Sequence, residues 1–207
     1  DVSNPLCGPR GATAIFGPQK GVHDDQREAI DRTLARYATL AEAPDRVVIP
    51  GLNEGEAAAG DHVVSAGSPT TNALALLLDA LDRGAGVEYA TMTSIHAYTS
   101  DQPLQDYAQG DQRRSRSAAQ NIIPNANASA ACVEQLLPRF AGRLSGCALN
   151  VPVQRGSLLD LNCVLRNVID AEAVNELMRA AAAARPQLIA VAEDPIVSSD
   201  VIGCRQT

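Results

Sequence analysis

One stretch, residues 65 to 98, constrains the fold most, because a helix start, a helix and a turn follow one another there without interruption. Ser68 is a favourable N-cap residue, and Pro69 suits the first helical position, where no backbone N–H is needed. The leucines that follow recur at spacings of three and four, which predicts one buried face. Gly84, after a basic residue, predicts the end of the helix.

A strand is predicted directly after the turn. Side chains from Val87 to Tyr98 alternate in character, which is typical of a strand with two different faces. Met92 and Ser94 fall on one face with His96, and threonines fall on the other. His96 is therefore expected near the end of the strand.

The composition argues against several classes of protein. With 207 residues, 45% of them hydrophobic, the chain can build one sizeable core or two small ones. A net charge of −7 gives no basic surface for nucleic acid, and no run of about 18 apolar residues predicts a membrane span. The cysteines form no C-x-x-C pair, and the opening residues predict no secretory signal. We expect a cytoplasmic protein without metal and without a nucleic-acid or membrane partner.

Several spaced motifs resemble the catalytic domain of the glyceraldehyde-3-phosphate dehydrogenase family. That family carries S-N-A-S-C-T-T-N before its active-site helix, where this chain has SAGSPTTN at residues 65–72. TMTSIHAYT (91–99) is similar to the strand that bears the family's catalytic histidine, and RRSRSAAQNIIP (113–124) is similar to the end of its S-shaped, cofactor-contacting loop. The resemblance continues through VPVQRGSLLDL (151–161) and DPIVSSDVIG (194–203), and covers roughly residues 46 to 207.

The resemblance implies an α+β fold for residues 45–207, with a mixed, largely antiparallel sheet and helices on one face. Residues 1–44 are expected to add a small irregular segment and one helix, capped by Asp24 or Asp25. The residue pattern predicts further strands and helices in the same order. These are strands at 47–49 and 62–65, a helix at 128–137, a strand pair at 146–153 and 157–166 around Arg155-Gly156, a helix at 170–184, and strands at 188–191 and 196–198.

The resemblance also implies the site and its chemistry. In the family a cysteine thiolate attacks the substrate aldehyde before hydride passes to NAD, and Pro69 occupies the position of that cysteine. His96 matches the histidine that orients and deprotonates the thiol. Two interpretations of His96 stay open: an inherited residue without a role, or a general base or anion ligand near the helix start.

Four residues match substrate- or phosphate-contacting positions of the family: Ser68, Thr70, Thr99 and Arg114. Three others depart from the family pattern, since Asp101 and Asn127 stand where it has threonine and Asn150 stands where it has arginine. Loss of a cation and gain of a carboxylate weaken an anion site through charge alone. A phosphorylated small molecule is the expected ligand, held by fewer contacts than in the family.

The opening residues resemble a second family. DVSNPLCGPRGATAIFGPQKG (1–21) is similar to a motif of bacterial glycerate kinases, and this resemblance ends near Ala43. No G-x-G-x-x-G follows a predicted strand, so NAD or NADP, implied by the first family, has no binding domain in this chain. With no initiating methionine and no closing elements of the dehydrogenase domain, we expect a fragment or a processed chain.

Three functions stay open from the sequence. The chain is a dehydrogenase-like catalytic domain without hydride-transfer activity, or part of a longer active oxidoreductase, or a remnant of an ATP-dependent glycerate kinase. In the first family the S-shaped loop packs at a subunit interface. The resemblance therefore implies a homo-oligomer formed through residues 100–120.

Overall fold

The computed structural model describes residues 8–9, 12–16, 22–38, 46–61 and 63–207. They fall into two compact units, one made of the described residues up to Val48 with Gly55–Ala66, the other of Ile49–Glu54 with Gly67–Thr207. The domain boundary after residue 44 stays a prediction. In the described part of the chain, no helix has both the length and the apolar character needed to cross a membrane.

The first unit holds the short elements. Its helices are α1 (Ala12–Phe16) and α2 (Asp24–Ala38), and its strands β1 (Arg46–Val47) and β2 (Val64–Ser65) pair in parallel. The prediction that Asp24 or Asp25 caps α2 is wrong, because both lie in its first turn. The backbone N–H of His23 instead donates to Gln26 Oε1 (3.0 Å), as in a capping box. Apart from residues 8–9 and 12–16, the segment 1–21 lies outside the described residues.

The second unit has an α+β architecture, as predicted. Its sheet has the strand order β4-β5-β3-β6, in which only β3 and β5 run parallel. The sheet is therefore mixed and largely antiparallel. The strands are β3 (Val87–Ala97), β4 (Ile123–Asn125), β5 (Leu144–Val151) and β6 (Ser157–Leu165), and the helices are α3 (Pro69–Ala85), α4 (Ser129–Leu136) and α5 (Ala171–Ala184).

The core lies between the helices and one face of the sheet. Ala90 and Met92 of β3 are buried there, and the alternate residues of β6 pack against the same cluster, as its pattern predicts. Each fully buried leucine contributes on the order of 2 kcal/mol. The cluster also contains Leu74, Leu78 and Leu81 of α3, Val133 of α4, and Phe140, with Val174 and Met178 of α5 packed against it.

The predicted strand pair around Arg155-Gly156 does not form, because β3 lies between β5 and β6. The connection crosses the end of β3 instead of turning tightly. There the Ala97 N–H donates to the Gly156 carbonyl (3.1 Å), and the Tyr98 N–H donates to the Val153 carbonyl (3.3 Å). β3 is the longest strand of this sheet and its inward side chains are buried, so it occupies the middle position.

The predicted helix end at Gly84 is also wrong. Helix α3 continues to Ala85, and Gly86 (φ 71°) is the C-cap, whose N–H donates to the Asp82 carbonyl (3.0 Å). Gly84 has a packing role, because a Cβ added there would lie 2.3 Å from a methyl carbon of Leu177 in α5. The absence of a side chain at Gly84 thus lets two helices approach closely.

The strands predicted at 188–191 and 196–198 are absent from the structure. The first segment makes only two backbone hydrogen bonds to Thr207, through the Leu188 carbonyl (2.8 Å) and the Ala190 N–H (3.0 Å). In the second, the Val197 N–H donates to the Asp200 side chain (2.8 Å). Such a local side-chain acceptor replaces a strand partner and favours a turn.

One buried carboxylate ties three segments of the second unit together. The side chain of Asp79 in α3 is 1% exposed and accepts hydrogen bonds from Arg83 (3.0 Å), Arg139 (2.8 Å) and Arg185 (3.0 Å). Arg139 belongs to the 3-10 turn Pro138–Phe140, and Arg185 follows α5. Burial raises the pKa of Asp79, but the hydrogen bonds and charges of Arg185 and Arg83 outweigh it, so the pKa lies below its ordinary value.

Replacing Asp79→Asn is expected to lower the free energy of unfolding by about 3 kcal/mol, because three guanidinium groups lose a buried counter-charge. Urea unfolding followed by circular dichroism measures the change. Asp160→Asn is the matched control, since Asp160 is exposed on β6, and should stay within about 0.5 kcal/mol of the native chain. Equal midpoints for the two variants would contradict the role given to Asp79.

The same carboxylate predicts a pH dependence. A pKa that is lower in the folded than in the unfolded chain stabilises the fold above the unfolded value, about 3.9 for aspartate, and the stabilisation is lost as pH falls through the folded pKa. We therefore expect the free energy of unfolding to drop more steeply below pH 4 in the native chain than in Asp79→Asn. Parallel pH profiles would show that Asp79 is not the titrating group.

Candidate functional site

The start of α3 forms as the sequence predicts. Ser68 is the N-cap, its Oγ accepts a hydrogen bond from the Thr71 N–H (3.1 Å), and Pro69 occupies the first helical position. Thr70 comes next, and its side chain has no hydrogen-bond partner among the described residues. The first turn of α3 carries no acidic residue, so the positive end of the helix dipole is not neutralised locally.

A second hydroxyl, which the sequence analysis missed, meets the helix start. The Oγ of Ser129, at the beginning of α4, lies 3.2 Å from the Ser68 Oγ. The Ser129 N–H donates to Asn127 Oδ1 (2.7 Å), so Asn127 serves as an acceptor for the start of α4. Ser68 and Ser129 are 61 positions apart, and no local pattern connects them.

His96 lies at the end of β3, as predicted. Its Nδ1 donates to the Ala97 carbonyl (2.7 Å), which leaves Nε2 as the acceptor in the neutral ring. Such a nitrogen can take a proton, which is what a general base requires. The Ala97 carbonyl also accepts from Asn150 Nδ2 (3.3 Å), and Asn125 Nδ2 lies 3.4 Å from Asn150 Oδ1.

Asn150 is the register partner of His96 on β5 and is buried. Its amide is engaged with the Ala97 carbonyl and with Asn125. A neutral amide in this place satisfies backbone and side-chain groups of the sheet but brings no positive charge. The two amides together form a polar link between the ends of β3, β4 and β5.

Thr99 and Arg114 are brought together by Asp101. The Thr99 hydroxyl and Arg114 Nη2 each donate to a different oxygen of the Asp101 carboxylate. Burial raises the pKa of Asp101, but the Thr99 hydrogen bond and the Arg114 guanidinium outweigh it and hold that pKa below its ordinary value. Asp101 is therefore charged at neutral pH and neutralises Arg114.

Gln102 completes this group of side chains. Its Oε1 accepts from the Thr99 N–H (3.0 Å), and the whole residue is 5% exposed. Its Nε2 is buried without a hydrogen-bond partner in the described structure. The group of Thr99, Asp101, Gln102 and Arg114, named here the Asp101 group, thus contains more donors than acceptors.

The predicted site residues therefore fall into three small polar groups. Ser68 meets Ser129, His96 is linked to Asn150 through the Ala97 carbonyl, and Thr99 and Arg114 share Asp101. These contacts supply hydroxyl donors, a ring nitrogen that can accept a proton and a neutralised cation. Within the described residues, no group of three or more histidine, cysteine, aspartate or glutamate side chains is arranged to hold a metal ion.

Comparison with protein families gives two matches. Residues 68–207 match the glyceraldehyde 3-phosphate dehydrogenase C-terminal domain, and residues 1–89 match the glycerate kinase family. The first match covers the second unit from the cap of α3 onward. The second is longer than the motif-based resemblance, which ended near residue 43, and it overlaps the first over residues 68–89.

Individual relatives agree with the first match. Glyceraldehyde-3-phosphate dehydrogenase 1 of Streptomyces arenae is 39% identical over 168 residues, which cover 80% of this chain and 50% of that protein. The Mycobacterium avium enzyme is 39% identical over 159 residues (76% and 47%), and that of Kitasatospora aureofaciens is 44% identical over 142 residues (68% and 43%). The chain spans about half the length of the curated relatives it matches.

Proposed function

Because the chain belongs to the glyceraldehyde-3-phosphate dehydrogenase family through its C-terminal domain, we propose that it is a catalytic domain of that family without hydride-transfer activity. The observation that carries this proposal is Pro69 at the first position of α3. The motif resemblance aligns Pro69 with the nucleophilic cysteine of the family. A proline ring has no group that can attack an aldehyde.

The geometry of α3 supports the proposal. Proline is compatible with the first helical position, because that residue needs no N–H donor and its φ angle is already helical. The N-cap bond of Ser68 to Thr71 is kept. The helix can therefore start in the same way whether or not a nucleophile is present, which separates the fold from the chemistry.

Three of the four described cysteines, Cys147, Cys163 and Cys204, give no evident replacement. Cys147 of β5 pairs in register with Thr93 of β3. The adjacent residue, Gly146, approaches Met92, whose side chain faces the core, so Cys147 points to the other face of the sheet. Cys147 is thus exposed on the sheet face opposite the helices. Burial raises the pKa of the Cys163 thiol, which disfavours the thiolate, and Cys204 lies in the exposed C-terminal segment.

NAD or NADP is the cofactor that membership of the family suggests, but these residues do not fit it. Dinucleotide phosphates bind where a strand passes through a G-x-G-x-x-G turn into a helix. The sequence contains no such spacing of glycines. The Asp101 group cannot replace it, because its one cation is already paired with a carboxylate.

The residues that remain support weak binding of a small oxygen-rich molecule, the phosphorylated ligand expected from the resemblance among them. The helix start at Ser68 and Thr70 favours an anion or a carbonyl oxygen. His96 Nε2 can accept a hydrogen bond or a proton from the same molecule. Without a nucleophile, these groups can bind and polarise an aldehyde but cannot form a thioester.

A hydride-transfer assay tests the proposal. The purified chain with NAD, phosphate and glyceraldehyde 3-phosphate is expected to form no NADH above background, because no thiolate lies at the helix start. Pro69→Cys should introduce a thiol that reacts with a disulfide reagent about tenfold faster than the native thiols, since the helix N-terminus lowers a thiol pKa. NADH formation by the native chain would overturn the proposal. A Pro69→Cys thiol no faster than the native ones would remove the helix-start argument.

Self-association through residues 100–120 belongs to the same proposal. This segment exposes two large apolar side chains, Leu104 (59%) and Tyr107 (70%), on a surface otherwise rich in charged groups. Exposed aromatic and aliphatic side chains of this size are typical of interface residues. A second copy of the chain is the partner that the family resemblance suggests.

Sedimentation equilibrium at micromolar concentration is expected to show a dimer or larger assembly, which the double variant Leu104→Asp/Tyr107→Asp converts to monomer. The two introduced aspartates would place unpaired charges in an apolar contact, and this cost separates the copies. Leu158→Asp is the control, because Leu158 is 54% exposed on β6, outside the segment. A monomeric native chain, or an assembly disrupted only by Leu158→Asp, would contradict this interface.

A further inference from the structure

We propose that Asp101 is a built-in anion that occupies the anion-binding position formed by Thr99 and Arg114, and that it makes this position reject phosphate. The inference rests on the proposed function, in which a weak ligand-binding site remains in this domain. It adds a limit on the ligand class: a phosphate group is excluded beside Thr99 and Arg114.

The contacts within the Asp101 group are the first observation behind the proposal. One carboxylate oxygen accepts from the Thr99 hydroxyl and the other accepts from the Arg114 guanidinium. A hydroxyl has a single proton to donate, and a charged acceptor holds it more strongly than a neutral one. The Thr99 hydroxyl proton and one guanidinium nitrogen of Arg114, Nη2, are therefore already used by a carboxylate of the same chain.

The buried side-chain amide of Gln102 is the second observation behind the proposal. Its Oε1 is occupied by the Thr99 N–H, so its Nε2 is directed away from that contact, is buried and has no partner among the described residues. A buried N–H without an acceptor is uncommon and costs stability. The Asp101 group therefore contains a buried donor that Asp101 does not satisfy.

The balance of charge between Asp101 and Arg114 is the third observation. The Asp101 side chain is 32% exposed and that of Arg114 is 22% exposed, so the pair is partly shielded from water. A phosphate that enters must displace a tethered carboxylate from Arg114 or sit beside it and be repelled. Asn150, which stands where the family pattern has arginine, offers no second cation and is bonded to the Ala97 carbonyl. The position therefore has one cation and its own anion.

Equilibrium binding of inorganic phosphate, measured by isothermal titration calorimetry, tests the proposal. Asp101→Asn should bind phosphate at least about tenfold more tightly than the native chain, because a like charge is removed and Arg114 is freed. The gain should disappear in Asp101→Asn/Arg114→Gln. In the native chain, Arg114→Gln alone should not tighten phosphate binding, since it removes the cation and leaves the Asp101 carboxylate unpaired.

Asp106→Asn is the matched control. Asp106 lies in the same segment and pairs with Arg116 (3.1 Å), so this variant changes the net charge and frees an arginine in the same way, without a threonine contact. It should bind phosphate as the native chain does. Equal gains in Asp101→Asn and Asp106→Asn, or a gain that survives Arg114→Gln, would overturn the proposal.

A replacement variant at Asp101 and the single variant at Arg114 complete the test. If thermal melting shows that Asp101→Asn is not folded, Asp101→Ser takes its place, since it replaces the carboxylate by an uncharged hydroxyl. Tighter phosphate binding by the single variant Arg114→Gln would refute the proposal, because this variant keeps the carboxylate and removes the cation. The titration uses neither NAD nor aldehyde. NADH formation by the native chain would therefore overturn the proposed function while leaving the phosphate comparison to be judged separately.

Discussion

The ion-paired carboxylate of Asp79 is the interaction on which the second unit depends. A charge can be buried only if it is paired and hydrogen-bonded, and here three arginines from three segments supply the partners. The pairing holds α3, the turn after α4 and the end of α5 around the apolar cluster. Asp79 lies in the second half of α3, so the pairing fixes that half of the helix against its neighbours.

The polar side chains of the three groups of predicted site residues are satisfied mainly by one another. Asn127 accepts the N–H of Ser129, Asn150 donates to the Ala97 carbonyl, and Asp101 accepts from Arg114. The motif resemblance matches each of these three residues to a position where the family pattern has a hydroxyl or a cation. In this chain the three side chains have internal bonding roles, in line with the proposed loss of anion affinity.

The sequence predicted those features that depend on neighbouring residues. The cap at Ser68, the start at Pro69, the alternation along β3 and the cap of α5 at Asp170 all follow from local backbone and side-chain preferences. Two of the errors have a common cause, which is a contact with a distant segment. Gly84 was assigned to a helix end because glycine is frequent there, but Leu177, far away in the chain, needs the space. The strand pair around Gly156 failed because β3 lies between its two members.

The sequence by itself determined most of the elements, the proline at residue 69, and the residue types at 101, 127 and 150. Only the tertiary structure decided what these residues contact: Ser129 beside Ser68, Asp79 among three arginines, and Asp101 between Thr99 and Arg114. The physical reason is the range of the interactions. Caps and periodicity act within a few residues, whereas packing and ion pairs join groups whose separation along the chain has no fixed value.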